Sequence, residues 1–312
     1  MRHEVDEYLV ALGQAAASQP AGATLPQLRE WYRGVVAASA TYVEIAPLVR
    51  SEWVSLALDG RSLRGLLQVP TVAERHPVVV YFHGGGYALA DPEATEATTA
   101  ALAARSGCAV LSVDYRLAPE HPYPAAHHDA RDALGWIGEH GADLGLDVGA
   151  LAVAGDSSGA ALALHAAVGA AREELPSPKA LALFYGWYDA TLSGASMAEL
   201  GPADPVLPRP LMEAFRAAYF GDAPDAVAGR LGMDGGLPVL GDTCLIVGGA
   251  DPLRSDSETL ARTLRAMGNG VEYHYFDNMP HGFSTIPSFT DGRRSVELAA
   301  SFIASRLLPV AP

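Results

Sequence analysis

Cysteine is nearly absent from this chain: two occur among 312 residues, Cys108 and Cys244, each inside an apolar run (Cys-Ala-Val-Leu-Ser-Val and Cys-Leu-Ile-Val). A disulfide framework needs more thiols than that, so both read as buried and reduced. Positive charge is also short. Against 36 Asp and Glu stand 21 Lys and Arg, for a formal charge of −15 and a pI of about 5.0. That balance repels phosphate backbones and anionic membrane surfaces, which excludes nucleic acid as a partner and leaves solubility as the use of the acidity. No stretch reaches the roughly 18 uncharged apolar residues of a membrane span. Met1 to Glu7 carries acidic residues and no apolar signal core, so a soluble cytoplasmic protein without stable membrane insertion is expected. Internal repeats and low-complexity tracts are missing too. What the chain has is core material: 49% hydrophobic and 18% charged residues, far from the regime of disorder.

The apolar runs recur with helical segments between them. Val78 to Phe82, Ala109 to Asp114, Leu151 to Ala154, Ala180 to Tyr185, Thr243 to Val247 and Val271 to Phe276 read as strands, and their spacing predicts a mainly parallel sheet covered on both faces. Leu48 to Leu58 and Arg64 to Val69 are candidates for added antiparallel edge strands. After Asp251 a helix is expected in which Ser255 and Glu258 form a capping box, Leu260, Leu264 and Met267 share a face, and Gly268 is the stop. A last helix is expected over about Arg294 to Leu307. The segments Val5 to Ala16 and Leu25 to Ala38 look helical and precede the first strand. With a Pro-, Gly- and Ala-rich stretch from Ser193 to Asp234, in which a helix is expected over Arg209 to Phe220, they are the candidate lid. The division expected is a helical cap segment over 1–44 and a catalytic domain over 45–312, with a cap insertion at about 193–234.

The chemistry sits in three motifs in fixed order. Gly155-Asp156-Ser157-Ser158-Gly159 follows a predicted strand and precedes an apolar helix from Ala160, which is the context in which a serine is pinched into a sharp turn with its hydroxyl exposed. A serine hydroxyl needs a base, and the base needs an orienting acid. His281, in a loop between Pro280 and Gly282, and Asp251, just after the strand through Gly248-Gly249-Ala250, fit those roles. Asp256 and Glu258 are explained instead by favourable charge at a helix start. The order Ser157, Asp251, His281 is that of one of three unrelated triad arrangements. His83-Gly84-Gly85-Gly86 follows a strand and offers unencumbered N–H groups, so Gly84, Gly85 and Gly86, with the N–H of Ser158, form the candidate oxyanion hole. His83 itself reads as structural, and His127, His128 and His165 as ordinary helix residues. No phosphate-loop context surrounds the glycines.

With Tyr87, the run Asp114-Tyr115-Arg116-Leu117-Ala118-Pro119-Glu120 and Pro122 and Pro124, and with Asp251-Pro252-Leu253 and His281-Gly282-Phe283, these motifs resemble the hormone-sensitive-lipase group of bacterial esterases. The resemblance spans roughly Val78 to Leu307. It implies an α/β-hydrolase fold, a mainly parallel central sheet flanked by helices under a helical cap. It also implies carboxylesterase activity on small-molecule esters of short to medium acyl length, no cofactor and no metal, and a homodimer at family level. By the same resemblance Gly85, Gly86 and Ser158 aim their N–H groups at the oxyanion while Gly84 shapes the loop, and Asp114, Arg116 and Glu120 form a buried polar brace beneath the site. Tyr87, Trp187, Tyr188, Phe215 and Phe283 are candidate pocket walls that could equally be core. The chain departs from the group at Ala160, where a glycine is usual, at Ser255, where an acid is common, and in the aromatic segment Tyr185 to Asp189. Alternatives on the same residues are deacetylation or lactone opening of a specialised metabolite, acyl transfer to an acceptor other than water, and a non-catalytic ligand receptor on the same fold.

Overall fold

The computed structural model describes residues 5–6, 25–39, 48–71, 75–173, 175–221, 237–286 and 289–308. An N-terminal helix α1 (Leu25–Ser39) precedes a hairpin, β1 (Val49–Leu58) and β2 (Arg61–Pro70). The hairpin turns on Asp59-Gly60, with Gly60 at φ 69°, the Asp-Gly pair that a tight two-residue turn favours. Then come β3 (His76–Phe82), α2 (Glu96–Ser106), β4 (Ala109–Asp114), α3 (Ala125–His140), β5 (Leu146–Asp156), α4 (Ser158–Arg172) and β6 (Ala180–Phe184). The chain continues through α5 (Ala195–Glu199), α6 (Arg209–Phe220), β7 (Asp242–Gly248), α7 (Arg254–Ala266), β8 (Val271–Phe276) and α8 (Thr290–Leu307).

One eight-stranded sheet results, in the order β1-β2-β4-β3-β5-β6-β7-β8. From β4 to β8 all neighbours run parallel, whereas β2 is antiparallel to both β1 and β4. Of the two expected edge strands only β1 is an edge; β2 is interior, and it starts at Arg61 rather than Arg64 because the tight turn lets pairing begin at once. Alternation along each strand splits the core in two. Val78, Val80 and Phe82, with Leu151 and Val153, face a layer built on α3, α4, α6 and α7. Val79 and Tyr81, with Ala152 and Ala154, face α2 and α8. Each fully buried Val, Leu or Phe in these layers contributes about 1.5–3 kcal/mol of burial free energy. Cys108 and Cys244 are buried and unpaired.

The helices differ from expectation at their starts. In α7, Ser255 lies one residue inside the helix and its Oγ is taken by Ser196 Oγ at 2.8 Å, so no capping box forms; the N-cap residue Leu253 supplies no side-chain bond, and the Ser255 N–H donates to Ser196 Oγ at 2.9 Å instead. Met267 is 44% exposed and so leaves the buried face, while Gly268 at φ 86° ends the helix as expected. The last helix begins at Thr290, four residues early. Helix α6 spans the predicted residues. Of the segment Val5 to Ala16 only residues 5–6 are described, and they are helical; the part of the lid stretch beyond Gly221, up to its end at Asp234, lies outside the described residues.

Candidate active site

Ser157 occupies the single residue between β5 and α4, at φ 54° and ψ −120°. Left-handed backbone at a non-glycine residue is strained and persists only where its surroundings fix it. Here its N–H donates to Phe184 O at 2.9 Å, and its carbonyl accepts from Trp187 N at 3.1 Å. The turn is too tight for side chains at its shoulders. A Cβ on Gly155 would strike Gly159 O, and one on Gly159 would strike Phe82 O and His83 O. The sequence places these glycines where the backbone needs them.

His281 and Asp251 come to Ser157 from loops at the carboxyl ends of β8 and β7, the end of the sheet at which sites of open α/β folds gather. Ser157 Oγ lies 2.9 Å from His281 Nε2, and His281 Nδ1 lies 3.0 Å from Asp251 Oδ2. Asp251 is fully buried, with Oδ1 accepting the Leu253 N–H at 2.7 Å. Burial of His281 works to lower its pKa, but the carboxylates of Asp251, Asp156 and Asp204 outweigh it, and the ring ends above its ordinary value. A base held by a buried carboxylate against a serine hydroxyl can remove the hydroxyl proton as the oxygen attacks.

Of the four candidate hole residues, Gly84 does not serve as a donor: its N–H is spent on Asp156 Oδ1 at 2.9 Å. Gly85 and Gly86, in left-handed backbone at φ 105° and 62°, and Ser158, the first residue of α4 directly after the serine, are the candidate donors that are left. Asp156 was not foreseen from sequence. It is buried, its Oδ1 also accepts the Tyr81 hydroxyl at 2.7 Å, and burial raises its pKa against the pull of those donors. Its position immediately before the serine was the available signal. His83 braces the loop as read: its ring stacks on Tyr115 at 4.3 Å and its carbonyl accepts the Tyr115 hydroxyl at 2.7 Å.

The expected brace of Asp114, Arg116 and Glu120 is instead three separate pairs, because each finds its opposite charge on a different element. Asp114 takes Arg64 at 2.7 Å near the surface. Arg116 takes the buried Asp129 at 2.8 Å. Glu120 turns outward to Arg29 on α1 at 2.8 Å. Asp256 lies in the first turn of α7 as expected, but its side chain is buried and turned to another segment, with Oδ2 accepting the N–H groups of Tyr188 and Asp189 at 3.0 and 2.9 Å. Burial pushes its pKa up to about 8.

The five candidate pocket residues separate. Phe215 on α6 is half-buried, and its ring lies where a Cβ on Gly86 would be, over the oxyanion loop. Tyr87 is buried, stacked on Tyr219 at 4.2 Å and tilted against Trp187 at 5.6 Å. Tyr188 is buried beside Gly186. Phe283 belongs to the layer under α8, packed on Phe276 and on Tyr185, which meets the His281 ring edge to face at 5.0 Å. It backs the base rather than lining a pocket. His127 is more than an ordinary helix residue: it is buried, and its Nδ1 pairs with the Tyr219 hydroxyl at 2.7 Å.

A nucleophile turn in a mostly parallel sheet, with acid and base on later strand ends, defines a class of hydrolases. The chain belongs to the alpha/beta hydrolase fold family, whose model matches residues 79–285. It is 35% identical over 294 residues to Carboxylesterase NlhH of Mycobacterium tuberculosis, covering 89% of this chain and 86% of that one. Among solved structures it is similar to the hyperthermophilic esterase of the archaeon Pyrobaculum calidifontis, with a TM-score of 0.84, 33% identity and 90% and 93% of the two chains covered. It is also similar to an esterase of the bacterial hormone-sensitive lipase family, with a TM-score of 0.86, 25% identity and 97% and 98% covered. No described helix is long and apolar enough to cross a membrane.

Proposed function

We infer that this protein hydrolyses carboxylic esters of small molecules through an acyl-enzyme on Ser157. The observation that carries the reading is the chain of contacts Ser157 Oγ to His281 Nε2 at 2.9 Å and His281 Nδ1 to Asp251 Oδ2 at 3.0 Å. Ser157 Oγ attacks the ester carbonyl while His281 takes its proton, and Asp251 stabilises the imidazolium that forms. The N–H groups of Gly85, Gly86 and Ser158 receive the oxyanion. His281 then gives its proton to the leaving alcohol. Water enters, loses a proton to the same ring and releases the acid.

The reading includes a cap formed by 1–44 and 193–234 over a catalytic domain, and acyl groups of short to medium length. The Phe215 ring against Gly86 supports the second point, since it brings the cap down on the reacting carbonyl. It also places the protein in the cytoplasm, supported by two buried, unpaired cysteines. The test is hydrolysis of p-nitrophenyl esters from acetate to decanoate, with Ser157→Ala in parallel and a fluorophosphonate label mapped by mass spectrometry. Turnover is expected to peak at short to medium chains and to vanish with the label in Ser157→Ala. Turnover that survives the substitution overturns the reading.

A further inference from the structure

We propose that helix α1 is a clamp on the oxyanion loop, with Arg29 positioning Gly85 and Gly86, rather than a lid that swings clear of the site. The proposal rests on the ester-hydrolase reading above. Its first ground is the loop itself. Gly85, Gly86, Tyr87 and Ala90 all have positive φ, at 105°, 62°, 61° and 62°, and two of the four carry side chains that disfavour that region. A backbone of this kind keeps its shape only where neighbours over-determine it. Within the loop the Ala88 and Leu89 N–H groups return to Gly85 O at 3.1 and 2.8 Å, and Ala118 N donates to Tyr87 O at 2.8 Å.

The Tyr87 N–H donates to Ser158 Oγ at 3.3 Å, and a further constraint comes from α1. Arg29 Nε donates to Ala88 O at 2.9 Å and Nη2 to Ala118 O at 2.9 Å. The same guanidinium forks onto Glu120, at 3.0 Å to Oε1 and 2.8 Å to Oε2. Ala88 directly follows Tyr87, and Ala118 is bonded to Tyr87 from the other side, so one side chain ties together the two segments that hold the end of the hole. One turn along, Arg33 Nε reaches Asp91 Oδ2 at 2.8 Å, and Asp91 Oδ1 accepts the Ala94 N–H at 2.9 Å. The loop is therefore gripped at two points by one helix. Lifting α1 away deprives two carbonyls, of Ala88 and Ala118, and two carboxylates, of Glu120 and Asp91, of these partners at once, which suits a fixed part better than a moving one. A planar five-donor fork is required; a lysine reaches one acceptor at a time.

Hole donors act only when placed within hydrogen-bond reach of the developing oxyanion, and misplacement by about 1 Å costs up to roughly a hundredfold in rate. The clamp is thus read in kcat. Full-length Arg29→Met, Arg29→Lys, Arg33→Gln and Glu120→Gln are compared with wild type on p-nitrophenyl butyrate, alongside the rate at which a fluorophosphonate labels Ser157. Arg29→Met is expected to lower kcat and the labelling rate about ten- to a hundredfold with KM within about twofold, with Arg29→Lys recovering only part and Arg33→Gln losing less. A folded Arg29→Met with wild-type kcat and a lowered melting temperature overturns the proposal in favour of a merely structural tie, and a changed KM at wild-type kcat overturns it in favour of a lid. Should Arg29→Met fail to fold, Glu120→Gln decides: a several-fold fall in kcat at constant KM supports the clamp, and wild-type kcat overturns it. A wild type inert to every ester and to the phosphonate overturns the hydrolase reading itself and the clamp with it, a result distinct from an active wild type beside an equally active Arg29→Met.

Discussion

At the scale of single residues, the site depends on what burial does to charge. His281 is held neutral for catalysis only above its pKa, which nearby carboxylates raise past the ordinary 6.5 despite burial. Activity should therefore fall as pH drops, with a midpoint in kcat/KM above 6.5. Asp251→Asn removes the largest of the raising influences, and the expected result is a midpoint moved down together with a kcat loss on the order of 10⁴-fold, as for the equivalent change in other serine triads. A pH–rate profile of the two proteins checks this; an unmoved midpoint would show that Asp251 does not govern the ring. Ser157, His281 and Asp251 were legible because each stands in a short motif beside a strand end, and strand ends can be read from apolar runs. That Gly84 shapes the loop was legible only through the family resemblance, because the partner of its N–H is not a local one. Its N–H is lost to Asp156, 72 residues away, and only the parallel pairing of β3 with β5 brings the two together.

At the scale of elements, legibility follows whether an end is set locally. Helix α6 was readable at both ends, since Pro208 precedes it and Gly221 follows it at φ 54°. The start of α7 was not, because the hydroxyl that should have capped it is claimed by Ser196, 59 residues away. The same helix α6 is fastened to the body by its last turn, where Tyr219 stacks on Tyr87 and pairs with His127 while its carbonyl accepts Tyr123 N at 2.8 Å. The other His127 nitrogen, Nε2, is buried without a partner, and burial holds the ring well below its ordinary pKa. Tyr219→Phe leaves both nitrogens unpartnered. The expected cost is about 1–3 kcal/mol, seen as a lower urea midpoint at constant m value; an unchanged midpoint would mean that the stacked rings alone carry the junction.

At the scale of the whole molecule, stability is tied to pH by Asp256. Its folded pKa of about 8 lies far above the ordinary 3.8, so the folded state keeps a proton that the unfolded chain releases. The stability this group supplies is complete below its unfolded pKa of about 4 and is lost as pH rises through about 8. Asp256→Asn has no such proton to lose. Its melting temperature, relative to wild type, should climb from pH 5 to pH 8 and then level off; a constant offset across that range would assign the carboxylate no linkage.

The sheet order carries a consequence for how the protein is born. Its central strand, β3, is made early, yet the layer on one of its faces is finished by Val296, Phe302 and Ile303 of α8, and His281 itself stands just before that helix, which starts at Thr290. The nucleophile, by contrast, is in place about halfway along the chain. Ending the protein at Phe289 should therefore leave a chain that contains Ser157, Asp251 and His281 yet takes up no phosphonate label, and labelling should begin only when α8 is supplied. The chain would pass through synthesis with its reactive serine silent, and the onset of ester cleavage would time the docking of its last helix.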